Sequence, residues 1–231
     1  MKQVKNFRIT LAMVIMAAFT LPLSSCSKGD DMSVYPGPNA IVTVKTSDSG
    51  SCYFQLDEKT TLEPKGWTNP YKREVRALLK YSELPADAGS LYSKTVTVDW
   101  IDSVRTKSAV PYDDDFKKGN NVAIALYNDW VTCCEDGYLT IHFAAWFGQG
   151  GKIVHNIDLG VDAQTLDLYL RHDNNGDNGY GAPGEGVIAF KIDELLKDVK
   201  DGQELTLHWK DSEGDKSARI KYYSRFNLPK E

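Results

Sequence analysis

From Ala40 onward the chain alternates apolar and polar positions in short runs, punctuated by Gly, Pro, Asp, Asn and Ser. Side chains of a β-strand point to opposite faces in turn, so this period predicts half-buried strands. Ile41 to Lys45 and Cys52 to Leu56 are two such runs, and Ser47-Asp48-Ser49-Gly50 between them carries turn chemistry, so they predict a hairpin. In the second run Cys52, Phe54 and Leu56 share one face, and Tyr53 and Gln55 the other. Thr60 to Glu63 predicts a short strand, and Pro64, Gly66 and Pro70 a loop that carries Trp67. Val75, Ala77, Leu79 and Tyr81 alternate with Glu74, Arg76, Leu78 and Lys80, and Val96, Val98 and Trp100 mark a fifth strand. Five short strands within about 65 residues predict a small Greek-key barrel of the OB type.

Arg105 to Lys118 interrupts the pattern with Pro111 and the run Asp113-Asp114-Asp115. It reads as a seam between two domains, where a protease is expected to cut. Val122, Ile124 and Leu126 then open a second β region. Its best strand is Gly137 to Phe147, with Leu139, Ile141, Phe143 and Ala145 on one face and Tyr138, Thr140, His142 and Trp146 on the other. Gly148 to Gly151 turns the chain, and Ile153, His155, Ile157 and Leu159 return. Leu166 to Leu170 predicts another strand, followed by a polar loop from Asp173 to Gly186 and a strand from Val187 to Ile192. Asp193 to Lys200 predicts a short helix capped by Asp193. Leu205, Leu207 and Trp209, then Ile220, Tyr222 and Phe226, complete about seven strands, the pattern of an antiparallel β-sandwich. The expected fold class is all-β: a five-stranded OB-type barrel over 40–106, then a sandwich over 107–231.

The residues before Ala40 follow a different rule. Lys2, Lys5 and Arg8 precede an apolar run from Ile9 to Leu23, and Leu23-Ser24-Ser25-Cys26 follows. A basic start, an apolar middle and small residues before a cut site are the parts of a secretory signal. A cysteine directly after the cut resembles the lipobox of bacterial lipoproteins. That resemblance implies a signal peptide over 1–25, a diacylglycerol on Cys26 and a mature chain tethered to the cell envelope, with the outer membrane as the expected site. Residues 26–39, with Pro36, Gly37 and Pro38, read as a tether. No later apolar run approaches the ~20 residues that span a bilayer. The membrane is therefore an expected partner through lipid alone, and multiple acyl chains anchor stably where one does not.

Charge and cysteines narrow the function. The net charge is −5, and losing residues 1–25 removes three bases and no acid, giving −8. Neither half of the chain is basic, so no nucleic-acid partner is expected. Cys52, Cys133 and Cys134 remain beyond the lipid site. Two of them are adjacent and none has zinc spacing, so they read as free or buried thiols.

No motif supports catalysis. There is no Gly-x-Ser-x-Gly elbow, and no carboxylate spacing singles out an acid–base pair. His142, His155, His172 and His208 are not expected to converge on a metal. Asp173, Asn175 and Asp177 have the alternation of a calcium loop, but Gly184 stands where a bidentate Glu belongs, so a turn is the favoured reading and no cofactor is expected. Trp67 and Trp146, both beside loops, are the candidate ligand contacts, as a sugar-stacking face would need.

Several segments carry a family resemblance: Ala40-Ile41-Val42-Thr43-Val44-Lys45, Arg76-Ala77-Leu78-Leu79-Lys80-Tyr81-Ser82, Gly137-Tyr138-Leu139-Thr140-Ile141, Ile153-Val154-His155-Asn156-Ile157, and Leu170-Arg171-His172-Asp173-Asn174-Asn175-Gly176-Asp177. With the lipobox, the chain resembles the NigD-like lipoproteins of Bacteroidales, which pair an OB domain with a β-sandwich. The resemblance implies a link to bacteriocin operons and an immunity-type role, and it brings no catalytic residues. The expected function is a non-enzymatic, membrane-tethered interaction protein. A surface glycan-binding module is the alternative, and a hydrolase with an unrecognised site the third reading.

Overall fold

The structure, a computed structural model, describes residues 37–86, 89–148 and 152–225. The expected signal peptide, Cys26 and most of the tether lie outside the described residues, as do positions 149–151 of the predicted turn and Phe226. No helix among the described residues is long and apolar enough to cross a membrane.

The first half folds as the alternation predicts. β1 (Ala40–Thr46), β2 (Cys52–Gln55), β3 (Thr61–Pro64), β4 (Val75–Glu83) and β5 (Lys94–Ser103) close into a barrel in the order β1-β2-β3-β5-β4. All neighbours are antiparallel except β3 and β5. Val42, Val44, Phe54, Leu62, Ala77, Leu79 and Val96 fill its interior.

The second half is richer than expected. It comprises β6 (Arg105–Ser108), β7 (Val110–Pro111), α1 (Asp114–Lys117), β8 (Ala125–Leu126), β9 (Cys133–Glu135), β10 (Tyr138–Phe147), β11 (Asn156–Asp162), β12 (Asp167–Asp173), β13 (Ala182–Lys191), β14 (Glu204–Asp211) and β15 (Gly214–Lys221). One sheet runs β6-β13-β10-β8, with β9 also on β10; the other runs β15-β14-β12-β11-β7. The sandwich is mixed, not purely antiparallel, because β6–β13, β7–β11 and β12–β14 are parallel. Between the sheets lie Leu139, Ile141, Leu159, Leu168, Leu170, Phe190, Leu205 and Tyr222.

Three local expectations change. The stretch Arg105 to Lys118, read as a seam, carries β6, β7 and α1. β6 follows β5 with only Val104 between them, and Val104 N–H donates to Arg76 O at 2.7 Å. α1 is capped by Asp113, whose carboxylate accepts from the N–H groups of Asp115 and Phe116. The polar loop before residue 187 ends early, since ten-residue β13 begins at Ala182 and pairs with all of β10. Asp193 to Lys200 forms turns instead of a helix, and the Asp193 carboxylate accepts from Arg225 Nε at 2.6 Å.

The polar face of the barrel is also buried. Thr43, Gln55 and Arg76 are fully buried although the alternation assigns such residues to solvent. Thr43 and Arg76 pack against the sandwich: Ile41, Val104, Val131, Tyr138 and Ala189 form a third apolar cluster where the two β bodies meet. Around it, Arg76 donates from Nε to Thr140 Oγ1 (3.2 Å), from one terminal nitrogen to Thr43 Oγ1 (3.0 Å), and from the other to Cys133 Sγ and Glu135 Oε2 (both 3.3 Å). Lys45 Nζ meets Asp136 Oδ1 at 2.6 Å. Arg225 clasps Glu74, which also accepts from the Tyr138 hydroxyl at 2.5 Å. Buried charges persist only when paired and hydrogen-bonded, so this network fixes one mutual arrangement of barrel and sandwich.

Candidate functional site: a histidine chain at the edge of the sandwich

The sequence places His155, His172 and Asp177 in three unconnected segments. His172 is the sixth residue of β12 and points between the sheets. His155 immediately precedes β11, the strand paired with β12, so the ladder brings the two rings together. Asp177 comes over from the loop between β12 and β13. That loop is tied by its own amides: Asp173 Oδ1 accepts Asn175 N–H at 2.9 Å, and Asn174 Nδ2 donates to Asp177 O at 2.6 Å. Gly148 allows the close approach, because a Cβ there would collide with the Asp177 carboxylate; its N–H donates to Asp177 Oδ2 at 2.7 Å.

The result is a linear chain of hydrogen bonds. Asp177 Oδ2 lies 3.0 Å from His155 Nε2, His155 Nδ1 lies 2.9 Å from His172 Nε2, and His172 Nδ1 lies 3.0 Å from Ala123 O. Phe147 stacks on His155 with ring centroids 4.5 Å apart. The ends of the chain assign its protons. A carbonyl only accepts, so His172 Nδ1 carries a hydrogen. Asp177 is a carboxylate, held below the usual range first by the Gly148 N–H and then by His155, so His155 Nε2 carries another. The inner contact then needs a third proton, because two lone pairs facing at that distance repel. Three protons are one more than two neutral rings hold. The pair therefore completes its bonds as a singly charged dyad beside one carboxylate. A second charge is opposed: burial lowers the pKa of His172, and the charge on His155 lowers it further.

Beside the dyad lies a cleft of about 300 Å3 between the two sheets. Phe143, Phe147, Ile153 and Ile157 line it, with Arg105 and Lys107 on the β6 side.

The other candidates distribute differently. Trp67 is half-buried, meets Phe54 edge to face at 5.1 Å and packs against the barrel core. Trp146 is 61% exposed on β10. Asp173, Asn175 and Asp177 do not face one centre: Asp173 Oδ1 accepts from Asn120 Nδ2 (3.0 Å), Asn175 Nδ2 donates to Val154 O (2.5 Å), and Asp177 serves His155. No group of three metal-ligating side chains occurs among the described residues. His142 bonds Asp129 at 2.6 Å and His208 bonds Asp167 at 2.9 Å, each away from the dyad. Cys52, Cys133 and Cys134 are unbridged, and burial pushes the Cys133 thiol up to about 11. The His155–His172 meeting was missed from sequence. Treating residues 153–159 as one strand placed His155 among its apolar neighbours, whereas β11 begins only at Asn156.

Sequence profiles of known families match both halves. The NigD-like N-terminal OB domain covers residues 41–104, and the NigD-like C-terminal beta sandwich domain covers residues 105–222. This chain belongs to the NigD-like family. Solved structures agree on the fold. A Parabacteroides distasonis protein described as toxin-related is 28% identical, with a TM-score of 0.60 over 80% of this chain and 92% of that one. A NigD-like immunity protein of Bacteroides caccae is 19% identical, with a TM-score of 0.52 over 80% and 92%. A Bacteroides fragilis protein described as a lipoprotein is 12% identical, with a TM-score of 0.52 over 80% and 98%. Among proteins with curated functions, none matches this chain.

Proposed function

We propose that this NigD-like chain is a lipid-tethered, non-enzymatic interaction protein of the cell envelope, acting as an immunity-type partner for a bacteriocin or related toxin. The observation that carries the reading is Leu23-Ser24-Ser25-Cys26 at the head of a chain whose remaining length matches the two NigD-like domains. A lipid on Cys26 holds the molecule at a membrane, and the barrel (40–106) and sandwich (107–231) present a fixed surface there. Trp130, Trp146 and Tyr180 are 51%, 61% and 82% exposed on the sandwich half, and such aromatic side chains are enriched among residues that dominate protein interfaces. The test is a killing assay. A strain without this gene should become sensitive to a bacteriocin made by sibling cells. Wild type should restore protection, and Cys26→Ala, released from membranes and unlabelled by palmitate, should not. Protection by the released variant would remove the tether from the mechanism.

A glycan-binding role is the second reading, favoured by one specific arrangement. Tyr127 lies tilted over His142 with ring centroids 4.4 Å apart and donates to Glu185 at 2.6 Å; His142 and Glu185 belong to the strand pair that also carries Trp146. Retention on envelope glycans that disappears in Trp146→Ala would support it.

A further inference from the structure

We infer that the cleft at the open edge of the sandwich is a binding site for a small monocarboxylate with an apolar body. The argument starts from register. In the parallel pairing of β6 with β13, Arg105 stands opposite Ile188 and Lys107 opposite Phe190. Paired residues share a face, and Ile188 and Phe190 belong to the core between the sheets. Both bases therefore lie on the register positions that face the core, Lys107 half-buried and Arg105 exposed at the rim of the edge strand, where a sandwich ordinarily places apolar residues. Lys107 is accounted for. It crosses to the opposite sheet, donates to Ile157 O at 2.8 Å and pairs with Asp158. Arg105 has no acidic or carbonyl partner among the described residues and borders the cleft.

The walls point the same way. Phe143, Phe147, Ile153 and Ile157 give an apolar body, while the polar groups are Arg105, Lys107 and the two histidines. No acidic side chain lines the space, in a chain with 32 acidic residues. The protons of the histidine dyad are all committed to Asp177, to each other and to Ala123 O, so the dyad closes the cleft without contacting a ligand directly. Arg105 is left as the group that receives an anion, through the two-pronged geometry that suits guanidinium to carboxylate. A volume of about 300 Å3 lies at the small end of ligand sites and fits a short chain or a single ring. The rival use of an inward charge on an edge strand is to discourage pairing with another sheet. That role needs no ligand, and the two are separable.

The experiment is a ligand-detected NMR titration of the full chain in detergent, with 4-phenylbutanoate and 4-phenylbutan-1-ol as probes. The carboxylate should bind about ten-fold or more tighter than the alcohol, as a charge-assisted bond implies. Arg105→Gln should bring the two to the same affinity, and Phe147→Ala should weaken both. Thermal melting of each variant shows whether it is folded. Equal affinity of the two probes for the wild type, a preference that survives in folded Arg105→Gln, or no saturable binding of either probe overturns the proposal. In the last case, self-association of folded Arg105→Gln would assign Arg105 to edge protection.

Discussion

The molecule buries polar groups in two places, and it does so in opposite ways. Between barrel and sandwich the charges meet in opposite pairs: Arg76, Lys45 and Arg225 face Glu135, Asp136 and Glu74. At the edge of the sandwich the charge is optional, since His155 and His172 complete their bonds only while they share one extra proton. The first arrangement is a lock of paired charges, in which burial pushes the Glu135 carboxyl up. The second holds a defined geometry over a limited range of pH. Both are buried, so burial by itself does not tell a structural network from a responsive one. The titration range of the groups does.

The contrast is broken most sharply at Arg76. Its guanidinium is fully buried and bonds Thr43, Thr140, Cys133 and Glu135. Arg76→Ala leaves Glu135 without its cation and opens a void between the bodies. Removing one partner of a buried pair costs about 3–5 kcal/mol. Chemical denaturation should show a loss of that order, against a total stability of about 5–15 kcal/mol for an ordinary domain. Arg76→Met, which keeps volume without charge, should cost less when combined with Glu135→Gln. A loss under about 1 kcal/mol in Arg76→Ala would mean the interface is held by its apolar cluster alone.

Why this network escaped the sequence is a matter of context. Alternation identifies which residues share a face, and it placed the barrel strands and the core of Val42, Val44, Phe54 and Leu79 correctly. It cannot say that a polar face will meet a second body. Thr43, Lys45 and Arg76 look solvent-facing until Thr140, Glu135 and Asp136 arrive from roughly sixty to a hundred residues away. The mixed sandwich was illegible for a related reason. β6, β7 and β8 have two to four residues each and take their order from their neighbours' ladders, not from their own composition. At the candidate site, Asp177 was legible as an oxygen donor, but its partner was not. The meeting depends on Gly148 lacking a side chain and on a loop closed by Asn174.

The histidine chain responds to acid, and the sign can be stated. Burial lowers the pKa of His172, so below its unfolded value near 6.5 the unfolded chain holds more protons at this site than the folded one. The part of the stability that depends on His172 staying neutral declines as pH falls beneath that value. Asp129, Asp158 and Asp167 also have lowered values, but their contributions are lost only near and below the ordinary carboxylate range, about pH 4. The interval from about pH 7 to 5 therefore lies above those three and contains the histidines, while burial pushes the Glu135 carboxyl up toward it. The melting temperature should fall across it, and His172→Gln should flatten that slope while starting from a lower value. A slope unchanged in folded His172→Gln would place the acid response elsewhere. Burial also pushes the Glu135 carboxyl up, so the same slope is read in a Glu135→Gln background, where the effect of His172→Gln should persist.

The smallest expected effect is that of calcium, and it tests whether the Asp177 end of the chain is closed. A calcium cage needs several oxygens turned to one centre, usually with a bidentate carboxylate. Here Asp177 holds His155 and the Gly148 and Gly179 N–H groups, Asp173 holds Asn120 and the Asn175 N–H, and Asn175 turns its amide to Val154 O. An ion would have to draw Asp177 away from His155, which leaves the third proton of the dyad without its nearby carboxylate. Binding then works against the histidine chain, and linkage stabilises a fold only by RT ln(1 + [L]/Kd). With affinity near or beyond the ~10⁻³ M end of extracellular sites, millimolar calcium contributes well under ~1 kcal/mol. Melting curves of the full chain in EDTA and in about 2 mM calcium should agree within about 2 °C. A rise of about 5 °C, lost in Asp173→Ala, would show that the loop opens to a metal and that the histidine chain gives way to it.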